Sequence, residues 1–199
     1  MHARTHARTH ARARARTHTH THTHTGAVVL CTIGFVLRIL LQMSLFWSRS
    51  IPWKEVVFEA GGIIPISFAS FAFGASERHD GWHHVPVGLA LFLFGTWLNV
   101  WSEWQRFVWK LDRRNQGHLY MTGLFGLARH INYTGEVVSF MGLSCVTGAS
   151  WTLWVPVCMG AGMATFSVWE IEFYLAQRYR QEWPEYLVAV PYILVPGLW

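Results

Sequence analysis

Gly-Leu-Phe-Gly-Leu-Ala-Arg-His-Ile-Asn-Tyr-Thr-Gly-Glu, residues Gly123 to Glu136, is the stretch around which the rest of the chain falls into place. It gathers Arg129, His130, Asn132, Tyr133 and Glu136 within eight residues, between a polar loop and an apolar run. Ionisable and amide side chains at the mouth of an apolar segment are costly unless they bind something. Asn132 and Glu136 stand four apart, so a helix starting here carries both on one face.

The composition around this stretch is that of a membrane protein. Of 199 residues, 52% are hydrophobic and only 14% charged, with twelve Trp and thirteen Phe. Soluble domains carry about 25% charged residues. The formal charge of +5 comes from the first 25 residues, where Arg4, Arg8, Arg12, Arg14 and Arg16 have no acidic partners. The remaining 11 basic and 11 acidic residues cancel, so the sequence pI of about 9.4 gives no reason to expect nucleic acid as a partner. Cys31, Cys145 and Cys158 all sit in apolar runs, and are expected to be buried spare thiols rather than a disulfide frame or metal site.

Residues 1–25 are His-Ala-Arg-Thr repeats followed by alternating Thr-His. Dinucleotide-repeat DNA explains both, since CAC GCA CGC ACA encodes the first and ACA CAC the second. The expectation is a disordered, low-complexity tail, possible upstream translation rather than part of the domain. The domain proper is then 26–199. His18, His20, His22 and His24 have metal-binding spacing, but a solvated tail explains them equally. His79, His83 and His84 lie in a short loop whose polarity accounts for them. No metal site is assigned.

Five apolar runs follow: Gly26 to Trp47, Val56 to Gly74, Val85 to Ser102, Tyr133 to Ala149 and Trp151 to Trp169. A spanning helix needs about 20 residues. The expected fold is therefore all-α: a multi-spanning membrane helical bundle of about five spans. Gly148-Ala149-Ser150 leaves room only for a tight C-terminal helical hairpin. Pro65 and Pro156 fall inside spans, where neighbours re-satisfy the freed carbonyls. Trp47, Trp53, Trp82, Trp101, Trp104, Trp151 and Trp169 cluster at the ends, as an aromatic belt requires.

Basic residues set the orientation. Arg49, Lys54, Arg106, Lys110, Arg113, Arg114, Arg129, Arg178 and Arg180 fall on one side, against Arg78 on the other. That side faces the cytosol. Glu103, Arg106 and Lys110 share a helix face where the third span leaves the membrane. Beyond the fifth span, helix is expected to continue to about Glu182, with Pro184 ending or kinking it. Val190 to Pro196 is expected to lie extended at the membrane interface.

Two polar clusters thus flank the hairpin on one side: Arg129, His130, Asn132, Tyr133 and Glu136, and Arg178, Tyr179, Arg180, Tyr186 and Tyr192. Arg grips phosphate with parallel hydrogen bonds, and Tyr stacks on flat rings or moves a proton. The inventory suits a large anionic cofactor entering from the cytosol. Neither a G-x-G-x-x-G nor a P-loop frames it.

Arg-His-Ile-Asn-Tyr-Thr-Gly-Glu (Arg129 to Glu136), preceded by Tyr120-Met-Thr-Gly-Leu-Phe, resembles the signature of the steroid 5-alpha-reductase-like membrane family. The segment Arg178 to Pro196 is similar to that family's C-terminus. The likeness covers roughly Val85 to Trp199, and its superfamily also holds sterol reductases and isoprenylcysteine and phospholipid methyltransferases. It implies a cofactor half at 103–199, with NADPH contacts at Asn132, Tyr133, Glu136, Tyr179 and Tyr186, and looser matches at Glu103, Lys110 and Arg106. Arg129, His130, Arg178 and Tyr192 complete the candidate set. Ile131 stands where many relatives have Pro.

The resemblance implies an NADPH-dependent reductase of an activated carbon–carbon double bond in a steroid-like or other lipid drawn from the bilayer, at the endoplasmic reticulum. The catalytic acid is unassigned. Glu59 is the only acid inside the earlier spans. Trp169-Glu170-Ile171-Glu172 followed by Leu175 resembles a run of S-adenosylmethionine-dependent methyltransferases, which is the alternative. A non-catalytic or truncated family member is the second alternative.

Overall fold

The computed structural model describes residues 2–46, 62–77 and 83–198, with side chains from residue 23 onward. Seven α-helices are described: α1 His2–Leu45, α2 Ile64–Ser76, α3 His84–Leu111, α4 Ile131–Thr147, α5 Trp154–Gly162, α6 Val168–Arg178 and α7 Trp183–Ala189. No strand occurs among the described residues. The fold is an all-α, multi-spanning membrane bundle.

Among the described residues, three helical stretches are long and apolar enough to cross a membrane: Thr23–Leu45, His84–Leu111 and Ser150–Arg178. α4, with 17 residues, reaches only about 25 Å, just short of the hydrocarbon core. α2 is described over 13 residues, because the start of its apolar run lies outside the described residues. Glu59, the loop Ser48 to Glu55, Arg78, His79, Trp47, Trp53 and Trp82 also lie outside them.

α3 and α4 form the backbone of the bundle, antiparallel and in backbone contact. Glycine makes this possible. A Cβ on Gly88 would stand 2.7 Å from Val146 N, and one on Gly135 2.6 Å from Asn99 N. Gly95 presses on Ser139 N, and Gly142 on Phe92 N. The glycines recur seven apart on each helix, so both seams stay in register. Where lipid removes the hydrophobic drive between helices, such close packing is what joins them. α1 lies parallel to α3, with Gly34 against Phe92 and Phe46 against Trp104 and Phe107. Phe35, Phe68, Phe71 and Phe140 interlock α1, α2 and α4.

The structure differs from the sequence reading in three places. First, α1 runs back through the repeat to His2, where a disordered tail is expected. His24 is buried, its Nδ1 lies 2.9 Å from Val146 O, and its ring stacks on His84 at 4.9 Å. A boundary at residue 25 therefore cuts into packed structure.

Second, α6 stops at Arg178, and Pro184 starts α7 rather than ending a helix. Proline lacks an N–H that the first turn would leave unpaired anyway. Pro156 falls in the first turn of α5, directly after a 3₁₀ turn at Ser150–Leu153. Third, Cys158 is exposed, while Cys31 is buried.

Candidate functional site

The polar motifs meet at one end of the bundle, where α1 and α3 finish and α4 begins. The glycine seam fixes the geometry: with α3 and α4 in backbone contact at Gly135, Asn99 and Glu103 of α3 reach Asn132 and Glu136 of α4. Asn132 Nδ2 donates to Glu103 Oε1 at 3.0 Å. Asn99 Nδ2 donates to the Asn132 carbonyl at 2.8 Å and to Glu136 Oε2 at 3.1 Å. Gln42 donates to Asn99 Oδ1 at 2.6 Å. Arg38 Nη2 donates to Glu136 Oε1 at 2.7 Å, and Arg106 pairs with Glu103.

The network carries two carboxylates and two guanidiniums, so its formal charges cancel. Its hydrogen bonds do not close. Asn132 Oδ1, Arg38 Nε and Arg38 Nη1 are buried with no partner among the described residues. The Asn132 amide orientation is fixed, because only its nitrogen can donate to Glu103. A buried polar atom left unpaired costs about 1–3 kcal/mol, more when charged.

A second cluster straps the C-terminal segment to the motif. Arg129 Nε donates to Glu172 Oε1 at 2.8 Å, and its Nη1 to the carbonyls of Val190 and Pro191 at 2.8 and 3.0 Å. The backbone N–H groups of Arg129 and His130 donate to Tyr192 O and Ile193 O. Thr134 Oγ1 donates to Leu194 O at 2.6 Å. His130 Nε2 lies 3.2 Å from Glu172 Oε1, and its ring stacks on Tyr133 at 5.5 Å. Tyr186 is buried and donates to Phe125 O at 2.9 Å; burial pushes its phenol well above the usual tyrosine range, so it stays neutral.

At the exposed rim, Lys110 donates to His118 O and lies 3.5 Å from Tyr179 OH. Arg178 stacks over Tyr174 and Tyr179 at 6.0 and 5.7 Å. The Tyr192 side chain is 39% exposed. Gly123, at φ +61°, lets Leu124 N reach Gln105 Oε1 at 2.9 Å, which ties the motif's start to α3.

The structure thus brings Glu103, Arg106, Asn132 and Glu136 into one network, and sets Lys110, Arg178 and Tyr179 together at its rim. Arg129, His130, Tyr186 and Tyr192 belong to the strap. Sequence reasoning missed Arg38, Gln42, Asn99 and the strap role of Glu172. Arg38 carried a signal, as the lone charge in an apolar run, since an ionisable residue inside a span is a functional candidate by default.

A family model described as "Protein of unknown function (DUF1295)" matches residues 56–188, about two thirds of the chain. The chain belongs to this family. It is 32% identical to 7-dehydrocholesterol reductase of Xenopus laevis over 89 residues, 43% of this chain and 18% of the relative. It is 31% identical to Delta(14)-sterol reductase of Arabidopsis thaliana over 125 residues, 56% of this chain and 33% of the relative. It is 30% identical to Probable O-methyltransferase ustE of Ustilaginoidea virens over 87 residues, 44% of this chain and 28% of that protein. The chain thus spans a third or less of these relatives' lengths. Reductase and methyltransferase relatives together are the two branches of the superfamily that the motif resembles. No solved structure matches.

Proposed function

We propose that the protein is a membrane-embedded, NADPH-dependent reductase of an activated carbon–carbon double bond in a lipid. The observation that carries this is Asn132 Oδ1, a buried acceptor aimed without a donor into the network. The nicotinamide carboxamide offers the N–H that this acceptor lacks. When bound, the reduced cofactor supplies a hydride. Arg178 stands toward water, where it would meet the phosphates, and Tyr179 offers a ring face beside it. Arg129, His130, Tyr186 and Tyr192 hold the strap closed over the start of the motif. The cofactor would enter from the cytosol and the lipid from the bilayer.

The methyl-donor alternative draws on the O-methyltransferase relative. Its candidate carboxylates are less suited. Glu172 is occupied by Arg129 and His130, and Glu170 is exposed on α6.

Calorimetric titration of the detergent-purified protein with NADPH and, separately, S-adenosylmethionine tests the choice. The expected result is NADPH binding alone, weakened about tenfold in Asn132→Ala, the size of one lost hydrogen bond. Binding of the methyl donor alone by folded protein removes the reductase reading.

A further inference from the structure

Arg38 is the only Asp, Glu, Lys or Arg in the apolar run Gly26 to Trp47. It sits seven residues before the end of α1, about 10 Å inside that end of the span. Its side chain is 2% exposed and lies 4.6 Å over the Phe35 ring. One of its three nitrogens, Nη2, meets Glu136; Nε and Nη1 meet no acceptor among the described residues. The second oxygen of Glu136, Oε2, accepts from Asn99, and neither Nε nor Nη1 of Arg38 reaches it. A guanidinium cannot lose its proton to escape this cost, so the donors stay charged and unfilled.

We propose that Arg38 binds an uncharged oxygen of the lipid substrate, which in the reductase reading above is the carbonyl conjugated to the double bond. Three observations select that ligand. The free groups are donors only, so the ligand atom is an acceptor. Glu136 already balances the charge of Arg38 at 2.7 Å, and Arg106 that of Glu103, so a carboxylate or phosphate would leave the buried network net negative. Glu136 is one helical turn deeper than Asn132, which sets Arg38 on the membrane side of the amide that faces the cofactor.

An oxygen held there also gives Arg38 a chemical role. As the conjugated double bond accepts a hydride at its β carbon, the π electrons move onto the carbonyl oxygen. The Arg38 N–H groups stabilise that developing charge. A proton from water then adds at the α carbon, the carbonyl re-forms, and the product is the saturated ketone. Arg38 itself gives up no proton.

The test uses the full chain in detergent, with cholestenone isotope-labelled at its carbonyl carbon and the hydrocarbon cholestene as the matched probe without oxygen. We expect cholestenone to bind about tenfold more tightly than cholestene. Its labelled carbonyl stretch, read by infrared difference spectroscopy, should move to lower frequency on binding. Arg38→Gln keeps an amide nitrogen for Glu136 but removes the charge and the Nε and Nη1 donors. In that variant the frequency shift should vanish while NADPH affinity is retained within about twofold.

Equal affinity for the two probes, no binding of cholestenone, an unshifted carbonyl in the wild type, or a shift that survives in Arg38→Gln would each overturn the proposal. The wild-type arms decide even if the variant does not fold. Failure of NADPH to bind, with the carbonyl still shifted and the shift lost in Arg38→Gln, would sink the reductase reading while leaving the oxygen site in place.

Discussion

Two buried arginines at the same end of this bundle differ in how they are held. Arg129 is met by Glu172 and by the carbonyls of Val190 and Pro191. Arg38 is met by Glu136 alone, with two nitrogens unpaired among the described residues. Both sit beside a carboxylate at under 3 Å, yet one site is closed and the other open. A closed site fixes the chain to itself. An open one leaves hydrogen-bonding capacity for something that is not the chain.

The largest effects should fall on the closed site. Arg129→Gln strands Glu172 and frees the C-terminal strap, and breaking a buried pair this way costs about 3–5 kcal/mol. Thermal unfolding in detergent should show a large loss. Arg38→Gln should cost less: it too leaves a buried carboxylate, Glu136, without its cation, but it also removes two charged donors that have no partner among the described residues. Equal losses for the two variants would break the distinction between them.

Next in size is the seam that builds the open site. Gly135→Ala puts a methyl 2.6 Å from Asn99 N and 2.7 Å from Gly95 O, both backbone atoms that cannot swing aside. Overpacking of this kind costs about 1–3 kcal/mol. It should also separate Asn99 from Glu136 and so weaken NADPH binding, whereas Gly126→Ala, whose Cβ meets only Met121 O at 3.3 Å, should leave both near wild type. If Gly135→Ala melts and binds like the wild type, the seam does not position the site.

The two sites were also unequally legible in the sequence. The strap joins two motifs that stand out locally, Arg129 to Glu136 and Arg178 to Pro196, which the sequence reading assigns to a cofactor and not to each other. The apolar runs gave the helices, and the short link after Gly148 gave the hairpin. Arg38, Gln42 and Asn99 escaped notice because their contacts join residues 98, 57 and 37 positions apart. Periodicity places a residue on a face of its own helix; it does not say which helix lies opposite. The glycine seam was missed for the same reason: Gly88, Gly95, Gly135 and Gly142 become a seam only once α3 and α4 are antiparallel in one register. Glu182 was placed near a helix end, but the break at Tyr179 depends on packing of α7 against Leu119, which local propensity does not contain.

The smallest expected effect lies on the strap side and titrates. Glu182 accepts hydrogen bonds from Leu119 N and from the His118 ring. Desolvation opposes its ionisation, but those bonds and the charges of His118 and Lys110 outweigh it and hold the carboxyl below the usual range. The sign follows from linkage. A carboxyl whose folded value is lowered adds stability above its unfolded value, about 4.3, and that contribution is lost as pH falls through the lowered folded value. Exposure of the pair keeps the effect small. Glu182→Gln should therefore lower the melting temperature slightly at neutral pH and not at all in strong acid, so the two curves converge as pH falls. NADPH affinity at neutral pH should not change, because Glu182 ties α7 to the loop before the motif and not to Asn132. A constant gap between the curves at every pH would mean that Glu182 acts through packing and not through its charge. A loss of NADPH affinity would mean that the strap and the open network are one unit, and the contrast between the two arginines would then be one of position alone.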